Sequence, residues 1–139
     1  MASVFITGSA DGLGRLAAQR LVTLGHDVVL HGRDRQRAQD AMRAVPGART
    51  VLVGDLASIE ETRALAEQAN AAGPFQTVIH NAGVQSIHNA GVYRPNATRL
   101  ETLDGLESTF AVNALGSRSG FGAGVRFFIP NPRLLLIIL

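Results

Sequence analysis

A glycine loop lies between a strand-like and a helix-like segment at the start of this chain, and that order restricts the fold more than any other feature. Residues 3–6 have the apolar character of a short buried strand. The loop that follows is Thr7-Gly8-Ser9-Ala10-Asp11-Gly12-Leu13-Gly14. After it, apolar residues recur at helical spacing: Leu13, Leu16, Ala17, Leu21 and Leu24. A dinucleotide site needs this order, because the helix N-terminus then faces the pyrophosphate.

Each glycine of the loop has its own expected role. Gly8 allows the tight turn, Gly12 allows the backbone to approach a pyrophosphate, and Gly14 allows the helix to pack closely on the strand. We predict that the loop supplies these cofactor-binding residues: Thr7, Gly8, Ser9, Asp11, Gly12, Leu13 and Gly14. The alternative is an ordinary glycine-rich turn without a ligand.

Strands and helices alternate along the rest of the chain. Gly25 is placed as a helix C-cap glycine, and Ser58 opens a capping box with Glu61. Strands are predicted at residues 3–6, 27–31, 50–53 and 75–80, and helices at residues 34–44, 58–71 and 103–115. This alternation predicts an α/β fold with a doubly wound, Rossmann-like parallel sheet covered on both faces. Its nucleotide crevice is expected at the carboxyl ends of the strands.

Composition restricts the classes of partner. The chain has 139 residues, enough for one domain, with 46% hydrophobic and 17% charged residues, as in a globular protein. The absence of cysteine excludes disulfides and thiolate metal sites, and the four histidines lack metal-ligand spacing, so we interpret them as strand-end or loop residues. All 13 basic residues are arginines without a basic stripe, so we expect no nucleic-acid partner.

The two ends of the chain give no sign of targeting to a membrane. Residues 1–3 lead into the first strand without a basic n-region, so we expect a cytoplasmic protein. The apolar residues 134–139 are far shorter than the roughly 20 residues that a bilayer requires. We therefore interpret them as a buried strand or an aggregation-prone segment.

An identical hexapeptide occurs twice. Residues 79–84 recur as residues 87–92, which indicates a local tandem duplication. The extra eight residues are expected to loop out at the crevice, at a closure cost of only about 0.6 kcal/mol for a doubled loop. Either Asn81 or Asn89 then lines the site, and the sequence leaves that choice open.

With three further motifs, the loop resembles the short-chain dehydrogenase/reductase family. Asp55-Leu56 is similar to the family's adenine-side pair, Asn81-Ala82-Gly83 to its strand-stabilising motif, and Asn113 to the helix asparagine of its catalytic tetrad. The resemblance covers about residues 2–116 and implies an oxidoreductase that acts on an alcohol or carbonyl. It adds these cofactor-binding residues: Asp55, Leu56, Asn81, Ala82 and Gly83. Two alternatives stay open, that Asp55 begins a helix and that Asn81 is a plain turn residue.

The end of the second strand bears on the choice between NAD and NADP. A site that selects NAD is expected to place an acidic residue there to bind the ribose 2′-hydroxyl, but no carboxylate follows His31 until Asp34. Gly32 leaves space and Arg33 supplies a planar cation. Since a charge-assisted hydrogen bond from Arg33 is worth about one to two decades in affinity, we predict NADP rather than NAD. Arg15 is placed to assist and Asp11 to oppose; the alternative is that Arg33 is a solvated residue where a helix begins.

The family's catalytic pair is missing from these residues. The resemblance implies a serine, a tyrosine and a lysine four residues after the tyrosine, but Tyr93 is the single tyrosine, Ala97 follows it at that spacing, and there is no lysine. Asn113 is left as a remnant of the tetrad, and slow hydride transfer at best is expected, since acid–base catalysis typically contributes about 10²–10⁴-fold. Glycines and prolines beyond residue 116 predict a helix end near Leu115.

We therefore divide the chain into a dinucleotide-binding region, residues 1–116, and a divergent tail, residues 117–139, and expect a truncated family member. Three hypotheses follow. The chain is the NADP-binding part of a short-chain oxidoreductase, or a catalytically inactive nucleotide-binding module, or a non-functional fragment. A second copy or a full-length relative is the expected protein partner. The substrate stays open.

Overall fold

One parallel sheet forms the centre of the molecule. The computed structural model describes residues 1–82, 103–105 and the backbone of 135–138. Its elements are β1 (Ser3–Ile6), α1 (Gly12–Thr23), β2 (Asp27–Gly32), α2 (Arg35–Ala44), β3 (Thr50–Val53), α3 (Ile59–Ala71), β4 (Thr77–His80) and β5 (Leu135–Ile138). The strands lie in the order β3-β2-β1-β4-β5, all parallel. The predicted α/β fold is confirmed, and the apolar tail segment supplies a fifth strand.

The direction in which the chain crosses the sheet reverses at β1. From β1 the chain proceeds outward to β2 and β3, and it then returns to place β4 on the other side of β1. The strand order therefore reverses between β1 and β4, which is where a doubly wound sheet places its ligand crevice, at the carboxyl ends of the strands. The glycine loop follows β1 at this edge, and Asn81 follows β4.

Helices cover both faces of the sheet. On one face, α1 and α2 pack on the alternate strand residues Val4, Ile6, Val28, Leu30 and Ile79, through Ala18, Ala41 and Val45. On the other face, Leu65 and Ala69 of α3 pack with Phe5, Val29, Leu52, Phe75 and Val78. Because both faces of the central strands are buried, these strands carry runs of consecutive apolar residues rather than an alternating pattern. The two core layers hold the strand ends, and hence the crevice, in place.

The first helix lies close to the sheet because its contacting residues are small. Gly14 and Ala18 are the buried residues of α1, whereas Leu13 and Leu16 are 68% and 56% exposed. The helix predicted from the leucine spacing is present, but several of its leucines face away from the sheet. The helix ends just before Gly25, as predicted, because a φ of 80° there allows the bonds from Gly25 N to Val22 O and from His26 N to Leu21 O.

Several element boundaries differ from the prediction. Asp34 is the N-cap of α2 rather than its first residue, because its side chain accepts from Arg37 N. The strand β2 extends to Gly32, and β4 begins at Thr77. Only half of the predicted capping box forms: Ser58 Oγ accepts from Glu61 N, but the Glu61 carboxylate accepts from Asp55 N instead of Ser58 N.

A turn occupies residues 103–105, where the fourth predicted helix was expected to begin. Gly105 has a φ of 71°, a left-handed conformation that a helix start does not accommodate, and the Asp104 carboxylate accepts from Ile59 N at 3.1 Å. The remainder of that helix, the second hexapeptide copy and the proposed boundary at residue 116 lie outside the described residues. Among the helices described, none has the length and hydropathy needed to cross a membrane.

Candidate functional site

The glycine loop is closely packed on one side and open on the other. Gly8 has a φ of 65°, and a Cβ there would lie 2.7 Å from the Cα of Ala82. A Cβ on Gly14 would overlap the side chain of Asn81. Gly12 also has a positive φ, 55°, but a Cβ on it would meet none of the described residues within 4 Å. The loop therefore rests against residues 81 and 82, and its open side is at Gly12.

Thr7 and Asn81 join the ends of β1 and β4. The hydroxyl of Thr7 accepts from the backbone amides of Asn81 and Ala82, each at 3.1 Å. In return, Asn81 Nδ2 donates to the carbonyls of Thr7 at 3.2 Å and Gly8 at 3.0 Å. Thr7 is buried, so its hydroxyl lies in this joint between strands rather than on the loop surface. Asn81 is thus more than a plain turn residue, since it fixes the loop.

His31 joins the loop to a second strand end. Its Nδ1 accepts from Gly8 N at 2.9 Å, and its Nε2 lies 2.8 Å from the carbonyl oxygen of Gly54. The backbone repeats the connection, because Ser9 N donates to His31 O at 3.2 Å and His31 N donates to Ser9 Oγ at 2.8 Å. The loop is therefore bonded to β4 on one side and to β2 on the other.

The ring of His31 is neutral in this arrangement. An amide N–H only donates and a carbonyl only accepts, so the proton lies on Nε2 and Nδ1 is the acceptor. Burial lowers the pKa of His31, and the bond to Gly54 and the charge of Asp55 oppose this only in part. The sequence predicts His31 as a strand-end or loop residue, and it lies next to the last residue of β2. Its two side-chain bonds were not predicted. The signal for them is a titratable residue that ends an apolar run beside a glycine loop.

The N-terminus of α1 provides the donors for an anion. Asp11 caps it, with Oδ1 accepting from Gly12 N at 2.8 Å. The amides of Leu13 and Gly14 belong to the first turn and have no intrahelical acceptor, and the helix dipole adds positive potential there. Since Gly12 borders open space on this side, a phosphate group can approach these amides.

Three arginines lie near the ends of β2 and of the loop. Arg15 and Arg37 each approach the Asp11 carboxylate at 3.9 Å, from α1 and α2 respectively. Arg33 is 67% exposed and lies 3.4 Å from Asp34, whose pKa is lowered by the Arg37 amide and the two neighbouring guanidinium groups. Exposed pairs of this kind contribute little to stability, so the guanidinium groups keep their capacity to bind an anion.

The sequence predicts open space at Gly32, but the backbone of α2 fills it. A Cβ on Gly32 would lie 2.6 Å from the amide nitrogen of Ala38 and 2.9 Å from its Cα, both in the backbone of α2. The glycine therefore permits the close approach of β2 and α2. An acidic side chain at this position would force the helix away from the strand.

Asp55 shapes the turn that leads into α3. Its Oδ1 accepts from Ala57 N at 2.9 Å, and its carbonyl accepts from Ser58 N at 3.0 Å. The alternative role as a residue that begins a helix is thus visible in the structure. Asp55 and Leu56 are both partly exposed, and the neighbouring Gly54 carbonyl is the one that His31 binds. Because Oδ1 is used in the turn, a ligand that reaches it would bind the other carboxylate oxygen of Asp55, Oδ2.

The comparison with protein families agrees with this arrangement. The model of the short chain dehydrogenases matches residues 2–132. The chain belongs to the short-chain dehydrogenase family. Its relatives include an uncharacterized oxidoreductase of Emericella nidulans, 53% identical over 83% of this chain and 42% of that protein. A short-chain dehydrogenase of Penicillium rubens is 52% identical over 60% of this chain and 33% of that protein.

Solved structures repeat the fold. A protein from Mycobacterium paratuberculosis superposes with a TM-score of 0.71 at 27% identity, over 96% of this chain and 43% of that structure. The chain thus spans less than half the length of these relatives and of that structure.

Most of the predicted short-chain dehydrogenase site residues meet at one edge of the sheet. They are Thr7, Gly8, Ser9, Asp11, Gly12, Leu13, Gly14, Arg33, Asp55, Leu56, Asn81 and Ala82. Gly83, Asn89, Tyr93 and Asn113 lie outside the described residues. In the part of the chain that is described, no three His, Asp or Glu side chains gather as metal ligands would.

Proposed function

We propose that this chain is the NADP-binding part of a short-chain oxidoreductase that acts on an alcohol or carbonyl. One observation carries the proposal: the N-terminus of α1 lies at the carboxyl edge of the sheet, beside the point where the strand order reverses, and the described residues leave space at Gly12. The first-turn amides of Leu13 and Gly14 suit a pyrophosphate, and the partly exposed Asp55 and Leu56 suit the adenine side. The residues present therefore fit a nicotinamide dinucleotide, which supplies the hydride acceptor or donor when bound.

The loop's rigidity supports a binding role. Its first turn is held by Asn81 from one side and by His31 from the other, before any ligand arrives. A preformed site avoids most of the cost of ordering a loop on binding. An ordinary glycine-rich turn requires neither connection.

The preference for NADP is supported by the end of β2. Gly32 packs against the α2 backbone, so the acidic residue that would bind a ribose 2′-hydroxyl has no room at that position. Arg33 presents an exposed guanidinium beside it, and Arg37 follows in the first turn of α2. A 2′-phosphate is a dianion, so it gains from both cations, while Asp11 reduces that gain.

We propose that this chain alone does not complete the oxidoreductase reaction. Its 139 residues contain no lysine, so a tyrosine activated by a lysine four residues later cannot form within it. We propose that it binds the cofactor without completing the reaction, in the cytoplasm, and that a second copy or a full-length relative is its protein partner.

A calorimetric titration with NADPH, and in parallel with NADH, tests the proposal. NADPH should bind about tenfold or more tightly, which corresponds to one strong hydrogen bond to the 2′-phosphate. Adenosine 2′,5′-bisphosphate and adenosine 5′-monophosphate form a matched pair of controls that differ only in that phosphate. No heat with either dinucleotide would refute cofactor binding, whereas equal affinities would refute only the preference.

A further inference from the structure

The imidazole of His31 connects two backbone segments that the proposed ligand would span. Gly8 N lies 2.9 Å from Nδ1, in the first turn of the glycine loop. Gly54 O lies 2.8 Å from Nε2, immediately before Asp55. The first segment leads to the proposed pyrophosphate donors and the second to the proposed adenine-side turn. Within the described residues, one buried side chain thus bonds both.

The imidazole ring is rigid and is 2% exposed, so it has little freedom to move. Its two nitrogens each make one hydrogen bond, so the ring limits the separation of Gly8 N and Gly54 O. The amide of Gly8 is used by His31 and that of Ser9 by the His31 carbonyl. These two amides therefore set the position of the loop, and the anion is left to the first turn of α1.

The other described residues position each segment only in part. Asn81 holds Gly8 through its carbonyl, from the β4 side. The turn at Asp55 is held by its own hydrogen bonds, by Glu61 and by the bond from Gly54 N to Gly32 O. Among the described residues, the one side chain that hydrogen-bonds both segments is that of His31.

We propose that His31 is a positioning residue that sets the spacing between the pyrophosphate loop and the adenine-side turn, so that both halves of adenosine diphosphate are bound together. This inference rests on the proposed function. It predicts that His31 matters most for ligands that touch both segments. Adenosine or inorganic pyrophosphate, which touch one segment each, should depend on it much less.

His31→Leu, His31→Asn and His31→Gln separate positioning from core packing. Leucine fills the space without either bond, asparagine keeps an acceptor near the Nδ1 position, and glutamine keeps a donor near the Nε2 position. His26→Leu is the matched control, because His26 Nδ1 also accepts a backbone amide, that of Ala2, but at the opposite edge of the sheet. Each full-length variant is titrated with ADP, adenosine and inorganic pyrophosphate, well below its own Tm.

The expected result is an approximately tenfold loss of ADP affinity in His31→Leu, with less than about a threefold change for adenosine and for pyrophosphate. His31→Asn or His31→Gln should recover part of the loss, and His26→Leu should bind as the unaltered chain does. Unchanged ADP affinity in a folded His31→Leu variant would overturn the positioning role. An equal loss for all three ligands would also overturn it, since that pattern indicates general loosening.

The positioning role of His31 and the proposed cofactor binding are overturned by different results. If the unaltered chain binds neither ADP nor the dinucleotides, the proposed function fails and His31 loses its role with it. If the unaltered chain binds and the His31 variants bind equally well, only the inference fails. If His31→Leu does not fold, His31→Asn and His31→Gln still test the positioning role. Each of them must then lower the affinity for ADP more than the affinity for adenosine or for inorganic pyrophosphate.

Discussion

The side-chain amide of Asn81 donates to the carbonyl oxygen of Gly8 at 3.0 Å, so the end of β4 is bonded to the first turn of the glycine loop. The same nitrogen donates to Thr7 O at 3.2 Å, and its position leaves no room for a Cβ on Gly14. A single amide group therefore orients both the loop and the start of α1. These contacts give the asparagine of the Asn-Ala-Gly motif a structural role in this chain, because it fixes the glycine loop against the end of β4.

Replacing Asn81 by alanine should both destabilise the fold and weaken nucleotide binding. The change removes two donors from partly buried carbonyl groups, which costs about 1–3 kcal/mol in the free energy of unfolding. Urea denaturation and an ADP titration measure the two effects. Asn89→Ala is the matched control, since it alters the same position of the second hexapeptide copy. If Asn89→Ala were the damaging change and Asn81→Ala neutral, the second copy would supply the site.

Gly14→Ala and Gly12→Ala should fail in different ways. A Cβ on Gly14 would overlap Asn81, so overpacking should cost about 1–3 kcal/mol of stability. A Cβ on Gly12 would have no neighbour within 4 Å in the part of the chain that is described, but it would need a φ of 55°, a strain of about 1 kcal/mol. Because it would enter the space proposed for the pyrophosphate, Gly12→Ala should lose more ligand affinity than stability. Equal ratios of the two losses in both variants would contradict this account.

The discrimination between the cofactors should depend on Arg33. Arg33→Ala should weaken NADPH binding about tenfold and leave NADH binding within about twofold, because only the 2′-phosphate loses a partner. Arg43→Ala is the control, since Arg43 is also an exposed arginine but lies in the last turn of α2, paired with Asp40. Parallel titrations of both variants give the comparison. A loss of NADH affinity equal to that of NADPH would assign Arg33 to the shared part of the cofactor.

Much of the fold was predictable because its signals are local. The bounds of β1 and β3 follow from short apolar runs, and the helix-ending glycine at Gly25 and the N-cap at Ser58 follow from residue type. The start of α2 was missed by one residue because Asp34 caps the helix from outside it. The turn at residues 103–105 was mispredicted as helix because Gly105 and the bond from Ile59 N to Asp104 outweigh the apolar periodicity.

The candidate site was less predictable, because its key contacts join residues far apart in the chain. The glycine loop is a local motif, but Gly8 packs against Ala82 and Gly32 against Ala38. The tight contact at Gly32 involves the backbone of the following helix, so a prediction of open space there was wrong. The bonds of His31 could not be predicted from residue type, because its partners are backbone groups of Gly8 and Gly54, each 23 residues away in the chain.

Stability should fall as the solution is acidified through the histidine range, and His31 should be one cause. Burial lowers the pKa of His31 in the folded chain, so the unfolded chain takes up a proton first. Its contribution is therefore complete above the ordinary histidine pKa of about 6.5 and is lost as the pH falls below that value, until the folded chain is protonated as well. Asp55 is the charged group that acts against this shift. The pKa of His80 is lowered by burial too, so the unaltered chain should retain a second contribution in the same direction.

The comparison of the unaltered chain with His31→Gln isolates that contribution. Urea denaturation at several pH values between 8 and 5 covers the range around the ordinary histidine pKa of about 6.5. Glutamine does not ionise, so the variant should lose less stability than the unaltered chain over this range, although it starts from a lower value. Protonation of His31 also removes the acceptor of the Gly8 amide, so ADP affinity should fall over the same range in the unaltered chain and less steeply in the variant. Parallel curves for the two proteins would mean that His31 keeps the same protonation state folded and unfolded.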